Sequence, residues 1–228
     1  MDWRGFAQRM ASMSRDLLAQ KSVQDTLMRI TGAATELVEG CDHAGILILS
    51  GERVHSLAPT GQLVIDSDQL QERMGEGPCF DAARTKTGER VFRIADFNEV
   101  QPRWPRFAPR AHALGVGSMM GFLLYTDEEE LGALNLYSGK PGVFSEEGET
   151  AGWLLASHAA VALSSARSHA QMEQAIATRH VIGEAMGILM GSRRLTEEQA
   201  FAVLRRYSQE NNVKLREVAR QVTEKGVL

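Results

Sequence analysis

The sequence predicts an α+β domain joined by a long helix to an all-α unit. Three observations carry this. Two pairs of short apolar runs, each pair divided by a turn, read as antiparallel hairpins with helical stretches between them. No proline occurs from Ser145 to the end, and apolar residues there recur at helical spacing. The composition, 43% apolar and 24% charged, is that of a globular chain.

The elements follow in order. Residues from about 5 to 39 predict one helix, with Val23, Leu27, Ile30, Ala34, Leu37 and Val38 on its apolar stripe and Gly40 placed to stop it. The run 44–49 is a strand with apolar residues on both faces. It is therefore expected to be covered on both sides and central in its sheet. Residues 54–57 form its hairpin partner. A short helix over 66–73 begins at Asp66 or Ser67, and Pro78 suits the first turn of another. A strand covers 90–94. Over 102–114, Pro102, Pro105 and Pro109 mean that a helix is interrupted or begins at a proline. Residues 117–125 and 131–137 make the second hairpin, around an acidic turn.

Ser145, followed by Glu146, Glu147 and Glu149, is a helix start with carboxylates in the first turn. Leu154, Val161, Ser168, Ala175, Ile182 and Leu189 form a seam at spacing seven, small and alanine-rich in the middle. A helix from here to Met190 would be roughly 70 Å long and needs a partner, so a homodimer with parallel coiled-coil-like helices is expected over 145–190. Thr196 and Gln199 make a capping box. Ala200, Phe201 and Leu204 give the next helix its buried face. Asn211 and Asn212 end it and cap the last helix, whose stripe is Leu215, Val218, Ala219 and Val222. The C-terminal unit reads as a three-helix bundle.

Charge is uneven. From Arg179 onward nine basic residues face six acidic ones, in a chain whose net charge is −4. An acidic body with a basic tail points to a polyanion contact at the C-terminal end. Two cysteines, Cys41 and Cys79, fit a reducing compartment and are too few for a Cys-rich zinc site. No apolar run is long enough for a bilayer and no signal peptide is recognised, so a cytoplasmic protein without a membrane partner is expected.

The tail carries Arg179-His180-Val181-Ile182-Gly183-Glu184-Ala185-Met186-Gly187-Ile188-Leu189-Met190, then Ala200-Phe201, Leu204-Arg205, Ser208, Leu215 and Ala219. Over about 170–228 it resembles the ANTAR domain, the RNA-binding output module of bacterial transcription antiterminators. Over about 20–165 the chain resembles a GAF sensor domain, and the sensor unit is expected to span 1–165, including the N-terminal helix. The motifs are Gly75-Glu76-Gly77-Pro78-Cys79-Phe80-Asp81-Ala82, Arg103-Trp104-Pro105-Arg106-Phe107 and the strand after Gly115-Val116. They look like the GAF domains joined to ANTAR domains in actinobacteria. The long helix, 145–190, is shared between the two.

The resemblance implies a signal-responsive regulator whose dimer binds paired RNA stem-loops in nascent transcripts and promotes antitermination. Arg179, Arg205, Arg206, Lys214, Arg216 and Arg220 are the expected phosphate contacts, followed by Arg193 and Arg194, and an exposed Tyr207 would stack on a base. Gly183 and Gly187 are expected to serve close helix packing. No cofactor is identified. The expected pocket for an unidentified small-molecule effector is Cys79, Phe80, Trp104, Met120 and Asn135, with Cys79 either a redox-sensitive thiol or a small core residue. Two alternatives come from other classes. One is a helix-turn-helix DNA-binding regulator, since arginine-bearing short helices fit a major groove. The other is a methionine sulfoxide reductase of the GAF type, against which stands the lack of a recognisable pair of nucleophile and resolving thiol.

Overall fold

In a computed structural model that describes residues 3–50, 53–78, 81, 91–99, 102–126 and 130–226, the chain divides into two compact units, Met1–Arg167 and Ser168–Leu228. The first begins with two helices, α1 (Trp3–Leu18) and α2 (Val23–Leu37), where one was expected. Ser22 makes the break. Its backbone is extended after α1 has ended at Leu18, and its side chain accepts the Asp25 N–H at 3.0 Å to cap α2. Phe6, Met10, Met13 and Leu17 form the buried stripe of α1 at the same spacing of three and four as that of α2. Gly40, at φ 82, shapes the turn after α2 rather than ending the helix, which closes at Val38.

Five antiparallel strands make one sheet in the order β2-β1-β5-β4-β3. They are β1 (His43–Ser50), β2 (Arg53–Leu57), β3 (Val91–Ile94), β4 (Ser118–Tyr125) and β5 (Glu130–Ser138). β1 is interior, as its two apolar faces require, but the central strand is β5. Side chains alternate between two cores. Ile46, Met120, Phe122, Leu134 and Leu136 pack with α1, α2 and the first part of α5 (Glu146–Arg193). Leu47, Met119 and Tyr137 face the opposite way, with α3 (Gln62–Met74) and α4 (Phe107–Ala113). Helix α5 seats on the sheet at Gly152, where a β-carbon would lie 2.5 Å from the Phe122 ring.

Helix α3 starts one turn before the expected Asp66. Its N-cap is Gly61, which has no side chain to announce a helix. Helix α4 carries Pro109 in its first turn, where the missing N–H is tolerated.

The second unit packs the end of α5 with α6 (Glu197–Asn211) and α7 (Leu215–Lys225). Its core is Ala185, Leu189, Ala200, Leu204, Val218, Ala219 and Val222, all inaccessible to solvent. The Thr196–Gln199 capping box is formed, with reciprocal bonds of 3.0 and 3.3 Å. Asn212, left-handed at φ 52, closes α6, but the residue preceding α7 is Lys214, so the asparagines do not cap both helices. Phe201, expected in the core, is 38% exposed. The spacing-seven seam is also not uniform. Leu189 is a bundle core residue, whereas Val161, Ser168 and Ala175 are exposed. Among the described residues no helix is long and apolar enough to cross a membrane.

Candidate functional sites

In the first unit the two motifs Gly75–Asp81 and Arg103–Phe107 clasp each other through carboxylates. Glu76 Oε1 accepts the backbone N–H groups of Arg106 and Phe107 at 2.5 and 2.7 Å, which satisfies the start of α4, and Oε2 accepts Arg106 Nε at 3.1 Å. The Arg106 guanidinium also donates to the Met74 carbonyl. Asp81 Oδ2 accepts both Arg103 Nε and the Trp104 indole N–H at 3.0 Å. The Arg103 guanidinium stands over the rings of Phe92 and Trp104 at 5.1 and 5.2 Å. These bonds fix the connection that leads into α4.

A second carboxylate is buried. Asp68, on the inner face of α3, accepts Ser56 Oγ at 2.7 Å through Oδ2 and the Tyr137 hydroxyl at 3.1 Å through Oδ1. Burial pushes its pKa up to about 6, while the bonds from Ser56, Tyr137 and Asn135 hold it back. The sheet makes room for this cluster. Asn135 is flanked in register by Gly45 on β1 and Gly121 on β4. Cys41 is the opposite case. Burial raises its pKa to about 12, so it offers no thiolate.

In the bundle, Arg179, Arg193, Arg194, Arg205, Arg206 and Lys214 are exposed and form no ion pair among the described residues. Arg216 and Arg220 both pair with Glu217, at 3.1 and 3.2 Å, so two of the expected phosphate contacts share one carboxylate. Tyr207 is half-buried against the bundle core, which corrects the expectation of an exposed ring. Beside the basic face an apolar groove runs between α5 and α6. Ile182, Met186, Met190 and Phe201 line it, with Gly183 and Gly187 as its floor. A β-carbon on either glycine would meet nothing within 4 Å, so within this chain they do not serve close helix packing.

The GAF domain family model matches residues 20–164, well over half of the chain. The chain belongs to the GAF domain family. The ANTAR domain model matches residues 170–222. No curated protein matches. Among solved structures, the GAF domain of a phosphoenolpyruvate-protein phosphotransferase from Coxiella burnetii is 17% identical at a TM-score of 0.58, with 75% of this chain and 99% of that one covered. The phytochrome photosensory core module of Stigmatella aurantiaca is 14% identical at a TM-score of 0.63, with 89% of this chain and 44% of that one covered. The chromophore-binding domain of the bacteriophytochrome RpBphP3 from R. palustris is 14% identical at 0.55, covering 74% of this chain and 64% of that one. The chain thus spans less than two thirds of either phytochrome structure. At these identities the likeness shows the fold alone.

Within the GAF domain the expected pocket residues do not share a face. Trp104 and Asn135 lie on the α3 side of the sheet, whereas Met120 packs in the opposite core with α1 and α2. Sheet alternation separates Met120 from the others, because Met119, not Met120, pairs with Tyr137. Cys79 and Phe80 lie outside the described residues. The Asp68 cluster was not anticipated. Starting α3 at Asp66 conceals its inner stripe, Val64, Asp68 and Gln71, whose spacing of four and three does carry the signal. In the ANTAR segment the sequence reading placed Phe201 on a buried face, which concealed the groove.

Proposed function

We propose that this protein is a non-catalytic, cytoplasmic, signal-responsive RNA-binding regulator of the actinobacterial GAF–ANTAR type, with a sensor over 1–165, a shared helix over 145–190 and an RNA-binding unit over 170–228. It binds stem-loops in nascent transcripts and promotes antitermination. The observation that carries this reading is the set of cations on the bundle with no ion pair among the described residues, Arg179, Arg193, Arg194, Arg205, Arg206 and Lys214, on a segment matched by the ANTAR model. Unpaired guanidinium groups exchange counterions for phosphates at little electrostatic cost. Hairpin loops present those phosphates together with unstacked bases.

The protein acts as a homodimer through α5, which leaves large apolar side chains exposed at Trp153, Val161, Met172 and Ile176. A dimer offers two RNA faces to two hairpins, and simultaneous engagement multiplies affinity. A small-molecule effector in the GAF domain biases that engagement. Crosslinking of the full chain in cells, followed by sequencing of bound transcripts, tests the RNA reading. Recovery of hairpins that overlap terminators is the expected result, and recovery of duplex DNA in place of RNA would replace it with the helix-turn-helix reading. Light scattering tests the dimer, and a monomer mass at all concentrations would refute it.

A further inference from the structure

Asp68 is fully buried on α3, and no cation faces it among the described residues. Burial outweighs the bonds that it accepts from Ser56, Tyr137 and Asn135, and no nearby charge shifts it. His43 of β1 lies opposite Tyr137 in register. Arg53 and His55 of β2, Glu72 of α3 and Arg110 and His112 of α4 are exposed. A carboxylate buried without a counter-ion is costly to the fold, and such groups gather at functional sites.

This charge is held behind one yielding element. β2 is an edge strand, paired with β1 alone. It is bonded to α3 by Ser56 on Asp68 and by the Val54 N–H on Glu72 at 3.2 Å. Directly after it Ala58 is left-handed at φ 46, a strained conformation for a residue with a β-carbon. An open cavity of about 510 Å³ runs beside the same segment. Ser56, Ala58 and Thr60 form one wall, and Met28 and Gly32 of α2 the other. Solvent there has a short path to Asp68 once β2 moves. Tyr137 and Asn135 are on β5, which is held by a strand on either side, and they stay in place.

We propose that Asp68 and β2 form a proton-operated latch in the GAF domain. Uptake of one proton closes β2 on α3, with hydronium giving water as the carboxylate becomes the carboxylic acid. Release of that proton to water lets the Ser56 end of β2 lift and admit solvent to the charge. The sign follows from solvation. The carboxylate gains hydration when β2 lifts and the neutral acid gains little, so opening is favoured when Asp68 is charged. In the closed acid form the Ser56 hydroxyl can accept the new O–H, since a hydroxyl both donates and accepts. The proton is then an effector of the sensor. The latch stands on the GAF domain alone, and its use as a signal rests on the RNA reading above.

The test compares the full chain at about pH 7.5 and about pH 5, on either side of the Asp68 pKa of about 6. On acidification the infrared difference spectrum should gain a buried carboxylic-acid band that Asp68→Asn lacks. Amide protection in β2, corrected for the intrinsic pH dependence of exchange, should rise by about tenfold or more in the wild type, since each step of one in pKa is a factor of ten. In Asp68→Asn it should be high at both pH values. Ser56→Ala removes a donor to the charged form, so the midpoint of the carboxyl band should move up and β2 should open further at the higher pH. That shift identifies the same carboxyl even if Asp68→Asn fails to fold. The proposal falls if no carboxyl band appears, because Asp68 then keeps its charge. It falls equally if the band appears while β2 protection is unchanged, because the acid is then a passive core group. For the signal, the pH dependence of affinity for RNA hairpins should differ between wild type and Asp68→Asn. An equal dependence in both refutes the signal while RNA binding survives. Failure to bind any hairpin at either pH refutes the RNA reading, and the infrared and exchange results then decide the latch by themselves.

Discussion

Each unit holds some of its arginines in ion pairs, Arg216 and Arg220 on Glu217 in the bundle among them, but the two differ in where the pairs fall. In the GAF domain Arg103 is tied to Asp81, Arg106 to Glu76 and Arg29 to Asp16 and Glu36. On the bundle, Arg179, Arg205 and Arg206 are tied to nothing among the described residues. A paired guanidinium at a helix junction has its donors committed to the fold. An unpaired one keeps them for a partner and contributes little to stability. Arginine content alone cannot separate these roles, but the pairing does.

The comparison can be broken at several points. The largest effect is expected where the bundle has least to spare. Leu204, fully buried in a core of seven residues, should lose about 2–5 kcal/mol on change to Ala. Chemical denaturation should show the bundle transition moving while that of the GAF domain stays in place. A single shift of both transitions together would mean that the units do not unfold separately.

The buried carboxylate sharpens the GAF side. The pKa of Asp68 is raised by burial to about 6 in the fold against 3.8 unfolded. The folded state therefore holds the proton more tightly, and this group's contribution to stability falls as pH rises from about 4 to about 6. Above that window the full cost applies, up to about 3 kcal/mol. The difference in stability between wild type and Asp68→Asn, measured across pH 4–7, should change by an amount of that order and then level off. A difference that stays constant with pH would show that Asp68 keeps its charge throughout.

Arg205→Ala with Arg206→Ala should weaken RNA binding by about tenfold or more and flatten its salt dependence by about two phosphate contacts, with the melting temperature unchanged. Unaltered affinity would move the RNA surface elsewhere. The smallest effect falls on the paired side. Glu76→Gln keeps the acceptor but removes the charge facing Arg106 and the start of α4, and should cost about 1 kcal/mol of stability. RNA affinity should not change. A loss of RNA binding here would contradict the division between tied and free arginines.

Much of the fold was legible, and the reason is periodic. Strands with apolar residues on both faces, such as 44–49, leave few alternatives, and the Thr196–Gln199 box announces its helix directly. What escaped was whatever periodicity shares between two outcomes. The Ser22 break falls between two apolar stripes of the same spacing, and α3 begins at a glycine that signals nothing. The candidate sites were less legible. Charged residues of the bundle could be named, since exposure follows from charge, but Glu217 holding Arg216 and Arg220 could not. Hydrophobicity placed Phe201 on a helix face without saying whether that face looks inward. Register decided which of Met119 and Met120 joins Asn135, and a sequence does not display register.

The glycines of α5 have a consequence for how this chain tolerates heat. Gly183, Gly187 and Gly191 follow one another at intervals of four, and none would crowd a neighbour if it bore a methyl group. Each weakens the helix by about 1 kcal/mol relative to Ala. Selection for thermal endurance alone would have replaced all three, since alanine fits the space and raises the melting temperature. Variants chosen in the laboratory for survival at high temperature should therefore acquire alanine at these positions first. Gly183 and Gly187 also line the groove between α5 and α6, which alanine at either position would narrow.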